Sequence, residues 1–220
     1  ILAQAVSAQA ARRICVQHLL RRATRAPERA AVRRCPPPRR ELLVDDMADD
    51  GWGETLEGWL LQPSGQQLCE AAGVAAKTDG VFWTAAPIQD EAGWAALYRV
   101  DTYQRELLCD DGETTRKVDI YEPDCLMAVG AMTDMSKKPE NGLWIQGEKY
   151  VIVQFSEYSA SGSDLMIPVV RAQSKESKKA AVIAMSPRSI IVMLLGEGQK
   201  PGNATQAAVA FAEYLQTEDC

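Results

Sequence analysis

Between residues 142 and 195 the sequence holds five strand-sized segments rich in β-forming residues, and only short turns separate them. The segments are 142–146, 150–155, 164–172, 180–185 and 189–195. The turns between them, such as GEK, SKESKK and SPR, are too short for the crossover connection that a parallel pair of strands needs. Neighbouring segments are therefore predicted to pair antiparallel, so the chain must fold around an antiparallel sheet.

Two helices are predicted to flank this sheet in sequence. The first spans residues 50–61, since Pro63 and Gly65 follow it and apolar residues line one side, namely Trp52, Leu56, Trp59 and Leu60. The second is predicted to begin at Ala204 with Asn203 as its N-terminal cap. Its sheet-facing stripe consists of Ala208, Phe211, Ala212 and Leu215. Tyr214 lies about 60° from this stripe and so at its edge, where a ring can keep its hydroxyl hydrated.

Shorter elements are predicted between residues 71 and 132. Thr78-Asp79-Gly80 lies between two apolar runs and indicates a hairpin. A short helix over 91–98 directs Trp94 and Leu97 inward. A second hairpin has an acidic tip at residues 109–113, and a short helix over 124–132 follows. The sum is an α+β domain.

Charge separates the first 46 residues from the rest. Residues 1–46 hold ten arginines against four acidic side chains, whereas residues 47–220 hold 14 basic against 26 acidic ones, a net charge of −12. Residues 1–46 are predicted to be a disordered leader outside the mature protein, with a targeting peptide as the alternative. The acidic remainder argues against broad nucleic-acid binding.

Side chains that catalyse reactions or bind metals are scarce. The single histidine, His18, lies in the leader, and the six cysteines show neither a CxxC pair nor metal-ligand spacing. The glycine-rich segment GEGQKPG at 196–202 lacks the order of a phosphate-binding P-loop. We therefore expect reduced thiols, no metal, no cofactor and no enzymatic activity. A binding module fits these residues better.

Several motifs, taken in order, resemble the profilin family. They are Trp52 in the first helix, DGVFW at 79–83, GWAALY at 93–98, NGLWIQGEKY at 141–150, and the segment from Gly202 through AFAEYL at 210–215. The acidic hairpin inserted at about 99–121 is similar to that of the alveolate (apicomplexan-type) branch. The resemblance covers residues 47–220. It implies a central antiparallel sheet with the N- and C-terminal helices packed together on one face, and short helices and the hairpin insert elsewhere.

The same resemblance implies two binding surfaces. An aromatic groove for polyproline would use Trp52, Trp83 and Tyr214. For Trp83 a core role is equally open, whereas Trp59 and Trp94 are assigned to the core. The second surface, for actin, would use Lys149, Arg171, Lys175 and Asn203. Two departures from the family pattern, Gln154 in place of a basic residue and the tail QTEDC in place of a second aromatic, predict weaker binding of actin and of polyproline.

The resemblance therefore implies a monomeric, cytoplasmic protein of the actin cytoskeleton. Its expected partners are monomeric actin and proline-rich proteins such as formins, and phosphoinositides are a further candidate ligand. The alternative is a profilin-like adaptor for proline-rich proteins that does not bind actin. The hairpin insert is either a tolerated surface insertion or an additional contact with actin.

Overall fold

The structure, a computed structural model, describes residues 51–88, 91–99, 101–108, 113–160 and 165–218. The predictions for residues 1–46 and for the hairpin tip at 109–112 lie outside the described residues. The helices are α1 (Trp52–Leu56), α2 (Glu91–Ala95), α3 (Glu122–Gly130) and α4 (Pro201–Thr217), with a π-helical turn at Glu57–Leu61 and 3-10 turns at Pro63–Gly65 and Met135–Lys137. The strands are β1 (Ala71–Ala76), β2 (Phe82–Ala86), β3 (Tyr103–Leu108), β4 (Thr115–Ile120), β5 (Leu143–Ile145), β6 (Glu148–Ser159), β7 (Met166–Ser174), β8 (Ala180–Met185) and β9 (Ser189–Leu195).

Among the described residues, seven strands form one sheet in the order β2-β1-β9-β8-β7-β6-β5, with every neighbouring pair antiparallel. The predicted antiparallel sheet is confirmed, and β8 and β9 have the predicted bounds. Strands β1 and β9 are distant in sequence but are neighbours in the sheet, with Val74 opposite Ile191. Strands β3 and β4 form a separate two-stranded hairpin, with Arg105 opposite Val118.

The large sheet is covered on both faces, and alternate residues of its strands divide between two cores. In β9, Ile191 and Met193 belong to the core that also holds Leu56 of α1 and Phe211 of α4. Their neighbours, such as Val192, face the opposite core, which holds residues of α2 and α3 and the segments around them. This is the period-two alternation of a strand buried on both faces. The predicted α+β architecture, with the first and last helices on one face, is confirmed.

The start of α4 differs from the prediction. The helix begins at Pro201, Lys200 is its N-cap residue, and no side chain caps it. Pro is well suited to this position, because its fixed φ matches the helix and its missing N–H needs no partner there. Asn203 therefore lies within the first turn, and the prediction that it caps the helix was wrong.

Glu122, at the start of α3, anchors the β3–β4 hairpin to the large sheet. Its carboxylate is 1% exposed. One oxygen accepts from the Tyr103 hydroxyl (2.6 Å) and the Gly147 N–H (2.6 Å). The other accepts from the Arg99 N–H (2.7 Å) and the Gln146 N–H (3.0 Å). A single buried side chain thus connects α3, the base of the hairpin and the β5–β6 turn.

Candidate functional site: an aromatic cluster between the terminal helices

The first and last helical segments bring aromatic rings from distant parts of the sequence together. The Trp52 ring of α1 packs edge-on against Trp83 of β2, with their centroids 5.2 Å apart, and lies 6.5 Å from Tyr214 of α4. The structure therefore places the three predicted groove residues in one cluster. Trp59 of the π-helical turn stacks on Tyr214, with centroids 5.2 Å apart and planes 20° apart. Phe211 lies beneath this pair, 5.9 Å from each ring.

The five rings form two layers. Trp52 and Phe211 are buried, at 3% and 0% exposure. Trp83 and Tyr214 are half-buried, and Trp59 is 39% exposed. We define the aromatic surface as Trp83, Tyr214 and Trp59, supported from below by Trp52 and Phe211. This arrangement is suited to a flat apolar ligand, because aromatic rings supply large contact area at little cost in conformational entropy.

Two assignments from the sequence are corrected here. Trp59 was assigned to the core, but it lies at the surface. The reason is the π-helical turn, in which the Gln62 N–H donates to the Glu57 carbonyl over five residues at 2.9 Å. The wider turn shifts the helical phase, so that both Leu60 and Leu61 are buried and Trp59 is displaced to the rim. Conversely, Trp52 was expected to line the groove, but it is buried. Trp94 is buried as expected.

Arg171 of β7 is held by residues of two other elements. Its Nε donates to the Thr205 hydroxyl of α4 at 3.1 Å. Its two terminal nitrogens donate to Gln154 Oε1 at 3.2 Å and to the Tyr158 hydroxyl at 3.0 Å, both on β6. Gln154, the residue that departs from the family pattern, thus serves as an acceptor for Arg171. The guanidinium joins β6, β7 and α4, and it is half-buried.

The other three predicted actin-facing residues are not gathered into one cluster with Arg171. Lys175 is exposed in the β7–β8 turn. Lys149 on β6 is half-buried, with its ammonium 6.0 Å from the centroid of the Trp144 ring. Asn203 is exposed on α4, two residues before Thr205. Two residues correspond to about 200° around a helix, so Asn203 lies on roughly the opposite side of α4 from Arg171.

The two cysteines that the structure describes, Cys69 and Cys125, give no sign of nucleophilic chemistry. Burial raises the pKa of the Cys69 thiol to about 12, and burial together with the Glu122 charge raises that of Cys125 to about 11. Both thiols are therefore protonated at neutral pH, whereas a nucleophilic cysteine needs a lowered pKa. In the described part of the chain, no three His, Cys, Asp or Glu residues are grouped as metal ligands. No helix there is long and apolar enough to span a membrane.

The family model described as Profilin matches residues 51–220. The structure is similar to Acanthamoeba castellanii profilin IA, at 16% identity over 77% of this chain and 99% of the other, with a TM-score of 0.47. It is similar to human profilin II, at 16% identity over 76% and 99%, with a TM-score of 0.45. It is also similar to mouse profilin IIa in complex with a double repeat from the FH1 domain of mDia1, at 16% identity over 77% and 99%, with a TM-score of 0.46. A search of curated proteins finds no match in sequence.

Proposed function

Because the chain belongs to the profilin family, we propose that it binds monomeric actin and regulates actin polymerisation, with a second, weaker site for proline-rich proteins such as formins. Members of this family generally bind actin and polyproline, and they are not enzymes. The single observation that carries the proposal is the match of the family model to residues 51–220. The aromatic surface supports its second part.

The proline site is proposed at the aromatic surface. A proline-rich segment is already extended as a polyproline II helix, so little conformational entropy is lost when it docks on aromatic side chains. Trp83 and Tyr214 are half-buried rings that offer such a surface, and Trp52 supports both. Residues 216–220, QTEDC, contain no aromatic residue that could add a ring to this surface.

The actin site is proposed on β6, β7 and the nearby turns. Lys175 is exposed, and Arg171 and Lys149 are half-buried. Positive side chains complementary to acidic patches on a partner increase the association rate and fix orientation more than they increase affinity. Asn203 is a separate proposed contact at the start of α4, and the β3–β4 hairpin is proposed as an additional one.

One observation favours the alternative, an adaptor for proline-rich proteins without significant actin binding. The Arg171 guanidinium donates hydrogen bonds to Thr205, Gln154 and Tyr158 within the chain. A guanidinium engaged in this way has fewer N–H groups left to offer a partner.

Polymerisation of pyrene-labelled actin distinguishes these two functions. The full chain should slow the fluorescence increase in proportion to its concentration, because monomers bound to it leave the pool that nucleates and elongates filaments. The Lys175→Glu variant should slow it less, and Lys138→Glu, an exposed charge reversal outside the proposed site, serves as the matched control. An unchanged time course with wild-type protein at tens of micromolar would leave only the adaptor function.

The proline site is tested separately by intrinsic tryptophan fluorescence. Titration with polyproline should change the emission of the full chain, because Trp83 and its neighbours exchange water contact for prolyl rings. A flat titration would assign Trp52, Trp83 and Tyr214 to structural packing alone.

We further propose a cytoplasmic location with the actin cytoskeleton, a monomeric state, and membership of the alveolate branch on the basis of the hairpin insert. Phosphoinositides are proposed as a further ligand of the lysine-bearing turns.

A further inference from the structure

The structure points to Trp59 as a ligand-contacting ring of the proline site, and we propose that the ligand is a proline tract flanked by basic residues. This inference rests on the proposed function, since it concerns the same surface. It assigns different roles to two rings of the cluster: Trp59 contacts the ligand, whereas Trp52 supports the surface rings without contacting it.

The position of Trp59 supports its role. The ring is 39% exposed although it stacks on Tyr214 at 5.2 Å and 20°. A tryptophan needed only for packing would bury more of its surface, as Trp52 does at 3% exposure. The stacked pair enlarges the surface beyond Tyr214.

The local backbone is built to hold Trp59 there. The π-helical turn at Glu57–Leu61 lets Leu60 and Leu61 fill the core together, which leaves Trp59 at the rim. A π-turn inside a helix is rare, and such turns occur frequently at functional sites. The observed exposure and the unusual turn therefore favour the same role.

The negative charge of the two helical segments that carry most of the rings favours a ligand with basic residues. Residues 51–62 and 201–218 contain four carboxylates (Glu54, Glu57, Glu213 and Glu218) and neither lysine nor arginine. Glu54, Glu57 and Glu218 are exposed, and Glu213 is half-buried. Since each of these segments contributes rings to the cluster, their combined field attracts positive charge beside a bound proline tract. A tract with acidic flanks is disfavoured by the same field.

The experiment measures fluorescence anisotropy of a labelled peptide of about ten prolines, long enough for several turns of polyproline II helix. One peptide carries arginines at both ends and a second carries glutamates, and both are titrated with the full chain. For the arginine-flanked peptide, Trp59→Leu should raise the Kd roughly tenfold, as truncation of a contacting aromatic commonly does. Trp59→Phe, which retains a ring, should recover part of the loss. Leu108→Ala, at an exposed apolar residue of the hairpin, should leave the Kd unchanged.

A second measurement detects the ligand contact in the wild-type chain itself. In a spectrum of the indole N–H groups, with the Trp59 signal assigned through Trp59→Phe, peptide should shift that signal and leave buried Trp94 unchanged. Failure of wild type to bind any proline peptide would refute the proline site itself. Binding with an unshifted Trp59 signal and an unchanged Kd in Trp59→Leu would refute the role of Trp59 alone.

The charge of the ligand is tested with the second peptide. The glutamate-flanked peptide should bind roughly 3- to 10-fold more weakly at low salt, and the difference should shrink at high salt, where exposed charges are screened. Equal affinity of the two peptides at low salt would refute the preference for basic flanks.

Discussion

Glu122 is a buried carboxylate that accepts four hydrogen bonds, and the Glu122→Gln substitution disrupts two of them. Each carboxylate oxygen accepts from two donors. A glutamine can present its carbonyl oxygen to one pair of donors only, because its NH₂ group then points at the other pair. Two hydrogen bonds to a charged acceptor contribute about 3–6 kcal/mol, and water entering the site recovers part of this. The free energy of unfolding should therefore fall by about 2–4 kcal/mol.

Urea denaturation of the full chain, monitored by tryptophan fluorescence, measures this decrease in the free energy of unfolding. Glu106→Gln on β3 is the matched control, because Glu106 is exposed and lies 4.0 Å from Lys117 in a surface pair of little energetic weight. It should change the unfolding free energy by less than about 0.5 kcal/mol. A Glu122→Gln protein as stable as this control would refute the view that Glu122 anchors the hairpin.

Three further predictions concern stability. Stability should decrease as the pH rises from 9 towards 12. Burial raises the pKa of Cys69 from 9.0 to about 12, so the thiol loses its proton at lower pH in the unfolded chain than in the folded one. At pH ~10.5 this difference lowers the free energy of unfolding by about 2 kcal/mol, and thermal denaturation of Cys69→Ala should show a shallower alkaline decline. Arg171→Ala should lower the unfolding free energy by about 1–2 kcal/mol while Lys175→Ala leaves it unchanged in the same urea assay; equal effects would contradict the Arg171 network. Gly80→Ala should cost more than about 2 kcal/mol, since Gly80 has φ +67° and an added Cβ would lie 2.2 Å from the Pro123 carbonyl oxygen; a wild-type melting temperature would contradict this packing.

Much of the fold is predictable because its signals are local. Strands β8 and β9 are short apolar runs between turn residues, so their bounds follow from composition and turn chemistry. The aromatic cluster could not be predicted from local signals, since its rings come from α1, the π-helical turn, β2 and α4. The sequence placed Trp52, Trp83 and Tyr214 together only through resemblance to a family.

What the sequence did not reveal depends on irregular backbone or on long-range contacts. Trp59 was assigned to the core on the assumption of a regular α-helix, and a π-helical turn breaks that periodicity. A usable signal was present, because Trp52 and Trp59 are seven residues apart and so share a helix face. Glu122 gave no comparable signal. All four of its hydrogen-bond donors are 19 to 25 residues away in sequence and meet only in the folded chain, namely Arg99, Tyr103, Gln146 and Gly147.

The central claim, that this chain binds actin monomers, is tested most directly by sedimentation of actin at steady state. Increasing amounts of the full chain should move actin from the filament pellet into the supernatant, because bound monomers are withheld from filaments. The supernatant should gain actin in proportion to the added protein until the filaments are depleted. If the amount of actin in the pellet is unchanged with the protein at tens of micromolar, in a preparation that still binds proline peptide, the chain does not bind actin monomers.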